Sequence, residues 1–169
     1  MKILEIKTLL LALLFAMVGA TCYADNSGQA KDIMEEIVQK YEKAKGVECM
    51  TIRKGSGLAL VKMMLRMKMP DDFGQAFMKG VTGIIIINYI DASAETAKSL
   101  RADIDRFTAV LEEFKSDNNG ESPSNEHTRS FAAMSGPNTL SAFVIAIEDA
   151  ETKMMMYMEG EMVVENPSK

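Results

Sequence analysis

Gly83-Ile84-Ile85-Ile86-Ile87-Asn88-Tyr89-Ile90 is the stretch around which the rest of the chain has to be arranged. Its isoleucine run has no polar phase, and a strand apolar at every position is buried on both faces. It therefore belongs in the middle of a sheet, with a layer over each side. After it, Asp91 and Ser93 supply turn and capping chemistry. From Ala94 to Lys115, the residues Ala97, Leu100, Ile104, Phe107, Val110, Leu111 and Phe114 recur at three- and four-residue steps. That spacing predicts a long amphipathic helix whose stripe packs on the sheet.

Upstream, Ile33, Ile37, Val38 and Tyr41 predict an amphipathic helix from Gly28 to Lys45, ended by Gly46. Val47 to Arg53 is rich in β-formers between Gly46 and Gly55 and reads as a first strand. Leu58 to Met69 is read as a helix, although its alternation after Leu65 also suits a strand, and Pro70 follows it. Phe73, Phe77 and Met78 mark a short helix or turn between Asp71 and Gly80. Downstream, Ser116 to Glu126 contains Asn119-Gly120 and Pro123, lacks large apolar residues and reads as a loop. Phe131 to Met134, Leu140 to Ile147 and Lys153 to Met158 form an antiparallel meander, with hairpin loops at Ser135 to Asn138 and Glu148 to Glu151. Gly160 then interrupts before Glu161-Met162-Val163-Val164, a last helical turn or edge segment. The expected fold is α+β: a mainly antiparallel sheet of four to five strands with two or three helices on one face.

The N-terminus has the form of an export signal. Met1-Lys2 and Lys7 precede an apolar run, Leu9 to Val18, that is too short for a spanning helix of roughly 20 residues. Cleavage after Ala24 places Cys22 and Ala24 where small residues are needed. A lipid anchor on Cys22 is the alternative, with Gly19 standing where a bulky aliphatic residue is usual. The expected organisation is a signal peptide over residues 1–24 and one domain over 25–169, located in the periplasm or cell envelope without a transmembrane span. Removing Lys2, Glu5 and Lys7 with the signal takes the net charge from −5 to −6, a sign that disfavours a nucleic-acid partner. The remaining 145 residues suit one domain with its own core. Cys49 would then be the single cysteine, buried in a strand and inert.

With these elements in place, the chain resembles the family catalogued as domain of unknown function 4252, small exported proteins of Bacteroides-type bacteria. The resemblance is carried by Tyr41, by Gly46-Val47 ahead of the strand ending Ile52-Arg53-Lys54, by Ile84 to Ile90, and by Met156-Tyr157-Met158-Glu159-Gly160. It covers most of the mature chain. It implies export and one α+β domain, and it transfers no activity and no functional residue.

No catalytic motif stands out, so function is weighed feature by feature. Thirteen of the 15 methionines lie beyond the signal, grouped as Met63, Met64, Met67 and Met69, and as Met154, Met155, Met156 and Met158. Thioethers are soft ligands that select Cu(I), and pleating would put Met154, Met156 and Met158 on one side of a strand. Packing in the core is the plainer role for them. His127 is the only histidine and has no evident zinc partners, and Gly55-Ser56-Gly57 has neither a nucleophile elbow nor a phosphate-loop spacing. Asp71-Asp72 and Glu148, Asp149 and Glu151 lack calcium-loop spacing. Lys62, Arg66 and Lys68 form a basic patch alternating with methionine and leucine, suited to an acidic partner or a membrane surface. The expected function is an envelope binding or regulatory module that needs no cofactor. An envelope protein is its expected partner, and Lys62, Arg66 and Lys68 are its contact residues. The alternatives are a small-ligand enzyme or a Cu(I) protein.

Overall fold

A computed structural model describes residues 26–53, 55–67, 71–114 and 128–164. In chain order these form α1 (Ser27–Tyr41), β1 (Glu48–Ile52), α2 (Ser56–Arg66), α3 (Asp71–Gly80), β2 (Val81–Asn88), α4 (Ala94–Thr108), β3 (Glu112–Phe114), β4 (Thr128–Gly136), β5 (Thr139–Glu148) and β6 (Lys153–Val163). The strands build one antiparallel sheet in the order β1-β2-β6-β5-β4-β3. The α+β class and the antiparallel sheet agree with the sequence, but the sheet has six strands rather than four or five. The isoleucine strand β2 lies inside it, paired with β1 through Ile86 to Met50 and with β6 through Ile86 to Met156.

Helices cover both faces, not one. Ile85, Ile87, Met155, Tyr157, Val144 and Phe131 point to the side where α1 places Ala30, Met34, Ile37 and Tyr41 and α4 places Ala97, Leu100, Ile104 and Phe107. The alternate residues Ile84, Met158, Phe143 and Ile145 meet Phe77 and Met78 of α3, and Leu58, Val61 and Leu65 of α2 pack against that second cluster. The physical reason is the one carried by the isoleucine run itself. A sheet apolar in both pleat phases leaves bare hydrocarbon in water unless each side has a cover. Edge-to-face rings tie each layer down: Phe77 to Phe143 with centroids 5.8 Å apart, and Phe107 to Tyr157 at 5.8 Å. Each such pair contributes about 0.5–1.5 kcal/mol beyond burial.

Three boundaries differ from the sequence reading. The long helix stops at Thr108 instead of Lys115, and the chain turns so that Glu112–Phe114 pairs with β4. The Thr108 hydroxyl donates to the Asp105 carbonyl at 3.2 Å, and the Leu111 N–H donates to the Thr108 carbonyl at 3.1 Å. Val110 and Leu111 reach the same core from this turn, so their spacing mimicked another helical turn. α1 ends at Tyr41, and Gly46 lies in the following turn at φ +79°, where a Cβ would collide with the Asp91 carbonyl. Gly160 does not end β6 or lead to a helical turn. It forms a bulge at φ +141°, with Val81 opposite Gly160 on one side and Ala142 opposite Glu159 on the other, and the strand continues to Val163 paired with β5. A Cβ at Gly160 would strike the Gly80 carbonyl.

On the outer side of α1 and α4, Asp103 accepts from Lys40 Nζ at 2.7 Å and from the Tyr41 hydroxyl at 2.8 Å, and that hydroxyl lies 2.7 Å from Ser99 Oγ. Burial pushes the Asp103 carboxyl up, but the hydrogen bonds from Lys40 and Tyr41 outweigh it and hold the group below its usual range. Ser93 caps α4 by accepting from the Thr96 N–H at 3.1 Å.

Candidate functional site

α2 presents two apolar faces. Leu58, Val61 and Leu65 pack against the core, as a helix covering a sheet requires. Leu60, Met63, Met64 and Met67 are 54%, 54%, 53% and 67% exposed, at the positions i, i+3, i+4 and i+7 that form one helical stripe. Met50 on the edge strand β1 is also more than half exposed, and its register opposite Ile86 puts it on the α2 and α3 side of the sheet. Single exposed apolar side chains are ordinary, whereas four aligned on one helix are a surface of the kind that meets another apolar surface.

Of the three basic residues expected to form the contact, Lys62 alone has a described side chain. Lys62 turns inward: its ammonium donates to the Val81 carbonyl at 2.7 Å and to the Lys79 carbonyl at 3.3 Å. It fastens α2 to the C-terminal end of α3, where a cation is favoured, and burial lowers its pKa. Arg66 ends α2 with its side chain outside the described residues, and Lys68 lies outside them altogether. The structure thus gives Lys62 an internal task.

A second feature is a cleft of about 280 Å³ beside the first turn of α1, lined by Ser27, Gly28, Lys31, Thr82, Ser141, Tyr157, Glu159 and Gly160. Glu159 follows Met155 and Tyr157 in the inward phase of β6, so its carboxylate enters the sheet face and requires partners. Arg53 Nε donates to it at 3.1 Å while Arg53 Nη2 holds Glu35 at 2.7 Å, and Lys31 lies 3.7 Å away. Gly83 makes room for this carboxylate, since a Cβ there would meet the Glu159 side chain. Burial, with Glu159 nearby, pushes the Tyr157 phenol upward. The acid of the cleft is therefore committed to ion pairs that stitch β1, α1 and β6 together.

The remaining sequence candidates fall into structural roles or beyond the described residues. Met158 is buried among Ile84 and Phe143, Met156 packs partly buried beside them, and Met155 faces the opposite layer, as pleating requires. Met154 is half-buried opposite Asn88 and Ile147. Asp149 accepts from the backbone N–H groups of Glu151 and Thr152 at 2.7 and 2.6 Å, which shapes the β5–β6 turn, and Glu148 pairs with Arg101. Burial, and then the Glu148 charge, push the neighbouring Tyr89 phenol to about 12. Cys49 is half-buried, and burial raises its thiol pKa. His127, Cys22, the signal segment and the loop Ser116 to Glu126 lie outside the described residues, as do the side chains of Asp71 and Asp72.

Among the described residues there is no group of three or more His, Cys, Asp or Glu placed to hold a metal, and no helix long and apolar enough to cross a membrane. The cleft was not anticipated, because its lining comes from four separate elements. The inward phase of Met155, Tyr157 and Glu159 was the available signal. The spacing of Leu60, Met63, Met64 and Met67 carried the α2 stripe, but not which face of the helix turns outward. No family model matches the chain, and no curated protein or solved structure is found to be similar to it.

Proposed function

We propose that the chain is an exported interaction module of the cell envelope that docks through the outer face of α2. The carrying observation is the exposed stripe Leu60, Met63, Met64 and Met67 on a helix whose other face is already packed. A soluble fold gains nothing by holding four large apolar side chains in water, whereas an interface recovers their burial. Methionine suits such a surface because its unbranched thioether chain adapts to irregular partners. Export and the resemblance to domain of unknown function 4252 belong to the same proposal.

A photo-reactive residue in place of Met64, compared with one in place of the exposed Lys98 on the other side of the sheet, tests this in intact envelopes. A discrete adduct from position 64 alone, lost when Leu60 and Met67 become glutamine, is the expected result. Equal labelling from both positions, or none from position 64, would refute the docking face.

A further inference from the structure

We propose that the cleft beside the first turn of α1 binds the carboxylate group of a small organic acid, with the Tyr157 hydroxyl, the Lys31 ammonium and the leading N–H groups of α1 as its donors. Tyr157 carries the argument. It is 1% exposed, and among the described residues its hydroxyl has no hydrogen-bond partner. Every fully enclosed side-chain N or O atom among those residues does have one, so the small accessible part of Tyr157 is the hydroxyl, opening into the cleft that the residue lines. The other two phenols described are partnered: Tyr41 bonds Ser99 and Asp103, and Tyr89 meets Arg101 and Glu148. A hydroxyl held in the core without a partner is a cost that a bound acceptor removes. Burial and the Glu159 charge keep this phenol protonated, which makes it a donor.

α1 brings further donors to the same place. Asn26 gives its side chain to the Val110 carbonyl at 3.1 Å and caps none of the first-turn N–H groups. Gly28 lines the cleft with open space where a Cβ would stand, so an oxygen can approach the backbone. Lys31 lies 3.7 Å from Glu159, beyond hydrogen-bond distance, which leaves its ammonium protons for a ligand. Charge selects the class of that ligand. Lys31 and Arg53 balance Glu35 and Glu159, and the terminus of α1 adds roughly half a positive charge. A single carboxylate suits that field, whereas a cation is opposed by it and a phosphate dianion exceeds it beside Glu159. The cleft of about 280 Å³ limits the acid to a small one, since small-molecule sites run from about 300 to 1,000 Å³. α2 covers the opposite face of the sheet, so this site does not depend on the docking face.

The test is a magnetic-resonance titration of the purified chain, isotopically labelled at the tyrosine Cζ, with acetate and benzoate against acetamide and benzamide at constant ionic strength. The two acids should shift the Tyr157 signal, assigned by its loss in Tyr157→Phe, and leave those of Tyr41 and Tyr89 in place. Acetate affinity, read from backbone amide shifts, should fall about tenfold or more in Tyr157→Phe and in Lys31→Met, as the loss of a hydrogen bond to a charged group implies. Lys98→Gln, which removes an exposed cation on α4, should leave it unchanged. Tyr157→Phe keeps the ring against Phe107 and removes no hydrogen bond, so its thermal midpoint without ligand should equal or exceed that of the parent. No shift of Tyr157 by either acid, equal shifts by the amides, parent affinity in Tyr157→Phe, or tighter binding of inorganic phosphate than of acetate would overturn the inference. A lower midpoint for ligand-free Tyr157→Phe would overturn it too, because the hydroxyl would then be a structural contact.

Discussion

Leu60 and Leu65 lie on opposite faces of the same helix, so truncating each to alanine measures whether the outer face is free. Full burial of a leucine contributes about 1.5–3 kcal/mol, and Leu60 keeps more than half of its surface in water. Leu60→Ala should therefore cost at most about 1 kcal/mol, reduced further because alanine is the better helix former. Leu65 packs against the cluster of Phe77, Ile84 and Phe143 without being fully enclosed, which puts Leu65→Ala near the lower end of the leucine range, about 2 kcal/mol. Urea unfolding followed by far-ultraviolet circular dichroism converts these to midpoints. With a slope of about 1–3 kcal/mol/M, Leu65→Ala should lower the midpoint by about 1 M and Leu60→Ala by less than about 0.5 M. Equal losses would mean that Leu60 is packed in the folded protein, and the free stripe would not exist.

Three other outcomes follow from the packing. Gly160→Ala should cost about 2–4 kcal/mol, because φ +141° is strained for alanine and its methyl meets the Gly80 carbonyl, whereas Gly28→Ala, with open space around it, should stay within about 0.5 kcal/mol; thermal midpoints compare them. Asp103 has a depressed pKa, so its stabilisation is fully present above the unfolded value of about 3.9 and is lost as pH falls through its lower folded value. Stability measured from neutral pH into the acid range should fall less steeply in Asp103→Asn than in the parent chain. Brief peroxide treatment should oxidise Met50, Met63, Met64 and Met67 before Met34, Met155, Met158 and Met162, and peptide mass spectrometry should read that order.

The parts of the fold legible in sequence were those with one periodicity and no competitor. Ile84 to Ile87 admitted only a doubly covered strand, and the hairpins of β4, β5 and β6 were punctuated by Gly136-Pro137-Asn138 and by Asp149. Where one pattern served two geometries, reading failed: Val110 and Leu111 reach the core equally well from a helix or from a turn, and β3 is too short to carry an alternation of its own. Placing the helices on one face overlooked what the isoleucine run had already implied. Gly160 looked like a terminator because a bulge and a break share the same residue. The α2 stripe was present in the spacing of Leu60, Met63, Met64 and Met67, but separating an outward stripe from an inward one required knowing where Leu58, Val61 and Leu65 point. The inward task of Lys62 depends on the α3 terminus and has no local signature.

The most direct test of the α2 docking face is the binding of the purified chain to isolated envelopes, comparing the parent with Leu60→Gln and Met64→Gln together. Substitutions at half-exposed positions leave the fold in place, so a loss of envelope binding with unchanged circular dichroism is the predicted result. Envelope binding equal to that of the parent would contradict it.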